Sequence, residues 1–161
     1  MGARISRSLA LPVGVMLTVA ACTSSGSTPT APSAEVTAAA GTYSLVSIDG
    51  ATLPTVTVTT PCTGFTDSGT LALTTPSSYN VGLKAHFICI SGPGPVVTTD
   101  ESGTWTVSGG NITFTPTPRS GPILTMSVAA LSGSTLTLSF DAPSYGQGIP
   151  DRRVSSVWRK Q

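Results

Sequence analysis

The chain has 161 residues, a net charge of +1 and only 9% charged side chains. That length holds one domain once a leader is removed, and the near-neutral charge argues against nucleic acid or any other polyanion as a partner. Threonine, serine and 17 glycines favour strands and turns over helices.

The first residues read as a targeting segment. Arg4 and Arg7 form a basic start, and Leu9 to Ala20 is an apolar run too short to cross a bilayer comfortably. It closes on Val19-Ala20-Ala21-Cys22. This resembles the bacterial lipobox, in which the leader is cut before a cysteine whose thiol carries diacylglycerol. The simpler alternative is an ordinary secretory signal that ends near a cysteine. The resemblance implies a lipoprotein signal peptide over 1–21, lipidation at Cys22, and attachment to a membrane of the bacterial cell envelope. Thr23 after the cysteine implies, by the same resemblance, the outer membrane in a cell that has two. The stretch from Thr23 to Ser33 is low in apolar residues and rich in Ser, Thr and Pro, so 22–40 is expected to be a disordered tether. Glu35 to Ala40 offers at most a frayed helical turn. The folded domain is expected over 41–161.

In chain order, Gly41–Ile48 predicts a first strand, and Asp49-Gly50 a turn that ends at Leu53-Pro54. Thr55–Thr60 alternates as a second strand with Val56 and Val58 inward. Pro61–Asp67 reads as a loop and Gly69–Thr75 as a third strand, with Leu71 and Leu73 inward. After a turn at Pro76-Ser77-Ser78, Tyr79–Ser91 is the longest strand. Its odd positions (Tyr79, Val81, Leu83, Ala85, Phe87 and Cys89) make the core face.

Cys62 and Cys89 remain after Cys22. In an exported, oxidising compartment a disulfide is their default. Pairing Leu73 with Tyr79 across the turn puts Thr63 opposite Cys89, so Cys62 is one residue away and a small bend closes the bond. A metal site is not expected, because there is no Cys-x-x-Cys and only one histidine.

Gly92-Pro-Gly-Pro95 is expected to break the chain before Val96–Glu101 enters the next strand. Then comes the clearest element. Thr104 to Val107 and Ile112 to Thr115 alternate on either side of Gly109-Gly110, a pair suited to the positive φ angles of a two-residue hairpin turn. That turn pairs Val107 with Ile112, Thr106 with Thr113 and Trp105 with Phe114, giving one apolar face and one of threonine. Pro116–Pro122, with Arg119, reads as a loop. Leu124, Met126, Val128 and Ala130 then alternate, as do Leu136, Leu138 and Phe140. A three-residue loop at Ser132-Gly-Ser134 pairs Ala130 with Leu136, Val128 with Leu138 and Met126 with Phe140, whereas a two-residue loop sets apolar against polar, so three residues or a bulge are expected. Asp141–Pro150, with Tyr145, is a glycine-rich loop, and Val154–Arg159 a last strand with Trp158 inward. Eight or nine short strands with short connections and no helical pattern predict an all-β, antiparallel up-and-down barrel of about eight strands, which leaves no exposed edges.

From Gly41 to Lys160 the chain resembles small bacterial lipoproteins with a lipocalin-like domain. The resemblance rests on Gly41-Thr-Tyr43 with Leu45 and Asp49-Gly50, on Glu101-Ser-Gly-Thr-Trp105 with its Gly-Gly hairpin, and on Val157-Trp-Arg159. Lipocalins open with Gly-x-Trp, whose tryptophan is covered by an arginine near the end of the domain. Tyr43 takes the tryptophan's place here, Arg159 is the counterpart of the arginine, and the usual C-terminal helix is missing.

No catalytic constellation assembles. His86 sits on the outward face beside Lys84, where a solvated strand histidine is the simplest reading. Asp49, Asp67, Asp100, Glu101, Asp141 and Asp151 lie in or beside predicted turns, where capping explains them. A non-enzyme without a cofactor is therefore expected. One reading is a barrel that holds a small apolar ligand among Tyr79, Leu83, Phe87, Trp105, Phe114, Met126 and Trp158. The other is a structural or protein-interaction module whose barrel is filled and takes no small molecule. The two differ in whether those side chains close on one another.

Overall fold

The structure is a computed structural model that describes residues 31–58, 62–118, 124–142 and 152–161, within a compact unit running Ala31–Gln161. The expectations for the leader, for Cys22, and for the loops carrying Arg119 and Tyr145 fall outside the described residues.

The fold is nearly all β. After a short helix α1 (Ala34–Ala39) come β1 (Gly41–Ile48), β2 (Ala51–Thr52), β3 (Thr55–Val58), β4 (Thr63–Thr74) and β5 (Ser78–Cys89). They are followed by β6 (Gly92–Ser108), β7 (Asn111–Pro116), β8 (Val128–Ser132), β9 (Thr135–Ala142) and β10 (Arg152–Lys160). From β4 to β10 each strand pairs antiparallel with the next. β10 then pairs with β1, and Gly41–Ser44 of β1 pairs with Thr70–Leu73 of β4, which closes an eight-strand barrel. Below that contact β1 and β4 diverge, and the short strands β2 and β3 pair with their free halves.

The central hairpin forms as its residues dictate. Trp105 faces Phe114, Thr106 faces Thr113 and Val107 faces Ile112, with Gly109 and Gly110 at φ 57° and 78°. Leu73 pairs with Tyr79 as expected. The core faces of β5 and β9 also match the alternation in the sequence, while β1 buries Tyr43 and Leu45 and then, across a bulge, Ile48.

Other elements depart from it. α1 is ordered where a tether was expected. Ser33 caps it by accepting from the Val36 N–H, and Ala39 is buried against the barrel core. The Tyr43 hydroxyl and Lys160 Nζ donate to the carbonyls of Ala39 and Ala38, at 2.7 and 2.8 Å, so the helix is tied to β1 and β10. β4 begins at Thr63 and absorbs most of the expected loop, because residues 63–66 find a ladder on β5. In β3 the inward residue is Thr57, 3% exposed, while Val56 is 39% exposed. The Thr57 hydroxyl is satisfied by the hydroxyl of Thr66 at 3.3 Å, so this strand buries its polar phase.

β6 runs through Pro93 and Pro95 rather than starting after them. Its register against β5 slips there, between the His86–Val96 and Ile88–Pro93 pairs, and β7 covers only Gly103–Ser108. A bulged stretch with one uncovered side accommodates residues that lack an N–H. The β8–β9 turn has two residues, not three: Ser132 pairs with Thr135, Leu131 with Leu136 and Ala129 with Leu138. Val128 is consequently outside at 52% exposure and Ala129 inside at 1%. Leu124 and Met126 are buried as expected, but in an irregular segment where Thr125 has φ 48°, so the alternation changes phase before β8 begins.

Candidate functional site

Seven side chains are expected from the sequence to line a ligand site in the barrel interior. All seven are buried. Tyr79 and Leu83 on β5, Trp105 on β6, Phe114 on β7, Met126 before β8 and Trp158 on β10 belong to one core cluster. Phe87 does not join them. β5 carries it past the closed part of the barrel into a separate cluster with Cys62 and Ala85.

The main cluster is closely filled. Tyr79 and Phe114 pack edge to face, 5.0 Å between centroids. Trp105, Trp158, Tyr43 and Phe140 are 0–1% exposed. A hollow large enough for water beside any of them would leave that side chain accessible from within. The polar atoms of this core are spent internally. Trp105 Nε1 donates to the carbonyls of Ser78 (2.9 Å) and Thr74 (3.1 Å). Trp158 Nε1 donates to Ser156 Oγ, which donates to the Leu138 carbonyl, each at 2.8 Å. No buried side-chain N or O among the described residues lacks a partner.

Glu101, read from sequence as a turn residue, is buried in this interior at 2% exposure. Its Oε1 accepts from the Tyr79 hydroxyl at 2.8 Å and its Oε2 from the Leu124 N–H at 2.9 Å. It therefore pins the Leu124–Met126 segment across the barrel. Its position at i−4 from Trp105, on the same strand face, was the available signal.

Cys62 and Cys89 form a disulfide, with Cα atoms 4.3 Å apart. The bend that permits it is a bulge. Thr66 pairs with Ala85 and Ser68 with Lys84, leaving Asp67 as the extra residue, so Thr63 falls opposite Ile88 instead of Cys89 and Cys62 comes into line with Cys89. The Asp67 carboxylate meets His86 Nδ1 at 2.7 Å, and the imidazole stacks on Phe65, centroids 4.9 Å apart. His86 is thus half-buried and engaged, not simply solvated.

Two features mark the outer wall. Val56, Phe65, His86 and Val96 are cross-strand partners in turn, a lateral row over β3, β4, β5 and β6. Val56, Val96 and the neighbouring Ile88 are exposed large hydrophobics. Nearer the closed barrel, the same wall carries a hollow of about 320 Å³ bordered by Thr70, Ala72, Asn80, Gly82, Asp100 and Ser102.

The arginine expected over the first-strand aromatic is replaced by its neighbour. β10 pairs Arg159 with Ser44, where it is exposed, and Lys160 with Tyr43, whose ring centroid lies 6.0 Å from Nζ. Asp49 accepts from Arg152 Nη2 and from the Ser155 N–H, both at 2.8 Å, joining the β1–β2 turn to β10.

These features define a closed, antiparallel eight-strand β-barrel with a disulfide across its β4–β5 hairpin. No protein-family model matches the sequence, and neither the curated proteins nor the solved structures include a significant match.

Proposed function

We propose that this protein is a lipid-anchored lipoprotein of the bacterial envelope whose lipocalin-like barrel is filled, and which works as a structural or interaction module through its outer wall. The observation that carries the filled-barrel reading is the mutual occlusion of Trp105, Trp158, Tyr43 and Phe140 together with the internal pairing of every buried polar side chain described, while the anchor rests on the resemblance of Val19–Cys22 to a lipobox. An apolar ligand gains roughly 25 cal/mol per Å² buried, but only where there is space to bury it. Exposed Val56, Ile88 and Val96, beside the half-buried Phe65 and His86 of the same row, support the outer wall as the working surface, since apolar surface in contact with solvent marks interaction sites. We read the protein as a non-enzyme: Asp49, Asp67 and Glu101 are all engaged in holding the fold.

Titration with an environment-sensitive apolar dye, beside native mass spectrometry of protein from its own cells, tests the filled barrel. The expected result is no saturable uptake and no co-purified lipid, with a dye response only on unfolding. Saturable binding altered by Trp105→Ala would restore the apolar-ligand reading. The anchor is tested separately. Cys22→Ala is expected to release soluble protein or to block maturation, because stable attachment takes two or more acyl chains. An unchanged detergent-phase form would remove the lipoprotein reading.

A further inference from the structure

We propose that the hollow over Gly82 on the outer wall is a binding site for a neutral saccharide. The proposal rests on the reading of the outer wall as the working surface.

The register builds the hollow. Thr70, Gly82 and Asp100 are cross-strand partners on β4, β5 and β6, and Ala72, Asn80 and Ser102 form the adjacent rung on the same outward face. Gly82 contributes no side chain and Ala72 only a methyl, so bulk is missing from the middle of an otherwise continuous wall. Four polar side chains surround the gap: two hydroxyls, an amide and a carboxylate. Among the described residues none of the four side chains has a hydrogen-bond or ion-pair partner. The carboxylate leans into the gap, since a Cβ on Gly82 would lie 2.9 Å from Asp100 Oδ1.

The chemistry of this set selects a ligand class. The residues bordering the hollow include the Asp100 carboxylate and no cation, Lys84 standing one rung further along the same face, so an anion would lose its water beside a like charge. The floor is too small for an apolar ligand to bury much area. A metal ion would find one carboxylate, and no group of three or more metal-ligating side chains occurs among the described residues. A saccharide fits what remains. Its hydroxyls both donate and accept, as the Asn80 amide and the Thr70 and Ser102 hydroxyls require. Two neighbouring hydroxyls can donate to the two oxygens of Asp100 in charge-assisted bonds. At about 320 Å³, the hollow is at the lower end of the size range of small-molecule sites.

The test is calorimetric titration of the mature full-length chain in a sugar-free detergent with triacetylchitotriose, with its monosaccharide, and with trigalacturonate as an acidic trimer. Saturable binding of the neutral trimer is expected, with the acidic trimer weaker. Asp100→Asn should weaken binding about tenfold or more, the loss of a charge-assisted hydrogen bond. Gly82→Val, which fills the gap at an ordinary strand position, should do at least as much while the strand circular dichroism is unchanged. Equal affinity for monosaccharide and trimer would indicate a free sugar, and tighter trimer binding a unit of a glycan chain; both support the site. No saturable binding, equal binding of the acidic trimer, or binding untouched by both variants overturns it. Such a failure, with dye still excluded from the interior, leaves the filled-barrel reading standing.

Discussion

Lys160 and Tyr43 close one end of the barrel together: Nζ lies 6.0 Å from the centroid of the Tyr43 ring and donates to the Ala38 carbonyl at 2.8 Å. The pair joins the last strand, the first strand and α1. Lys160→Met keeps the aliphatic stem and removes the charge and the donor. It should cost about 1–2 kcal/mol in urea unfolding, the combined scale of an exposed cation–π contact and one hydrogen bond. Amide exchange in α1 should rise with it, and an unchanged urea midpoint with unchanged exchange would show that the clamp contributes nothing.

Burial raises the pKa of Tyr43 above the ordinary tyrosine value. The unfolded chain therefore ionises first. The stabilisation is fully present below the ordinary tyrosine pKa and is lost as pH rises through the raised value of the folded state. Stability followed to alkaline pH should fall in that window, and Tyr43→Phe should flatten the fall.

Asp67 is the extra residue of the bulge, and the pairs on either side of it keep Cys62 in line with Cys89. Deleting it makes the Thr66–Ala85 and Ser68–Lys84 pairs adjacent in an unbroken β4–β5 register and leaves Cys62 opposite Cys89. Non-reducing peptide mapping should therefore find the two cysteines linked in the deletion as well as in Asp67→Ala, and free thiols in the deletion would show that the bend of the bulge, not the register, brings them together. The cross-link closes a sequence separation of 27 residues, worth about 3.5 kcal/mol on the chain-entropy estimate. Reduction should lower stability by that order.

Glu101 holds two buried donors, the Tyr79 hydroxyl and the Leu124 N–H. Glu101→Ala strands both, for about 2–6 kcal/mol at 1–3 kcal/mol each. Glu101→Gln retains one acceptor and should cost less. A denaturant series on the two variants checks the order, and equal losses would mean that the carboxylate packs rather than pins.

Much of this barrel was legible because its local signals agree. At Gly109-Gly110 the turn residues, the period-two alternation and the match of Trp105 to Phe114 all select one register, and a slip by one residue would turn the apolar face to water. Exposed Val56 and Val128 show where that logic stops. Their short strands permit either phase, and propensity alone favours burying valine. The choice is made by what each strand meets on its neighbour: the Thr66 hydroxyl that satisfies Thr57, and the Leu138 that the two-residue turn sets opposite Ala129.

The strand inventory, the closed antiparallel order and the Cys62–Cys89 pair thus follow from periodicity, turn chemistry and counting, which act between near neighbours. The bulge at Asp67, the burial of Glu101, the helix over the barrel end and the hollow over Gly82 do not. Each depends on which side chains meet across strands, and an extra residue, a buried acid or a missing side chain acquires its meaning only from the groups that packing places opposite it.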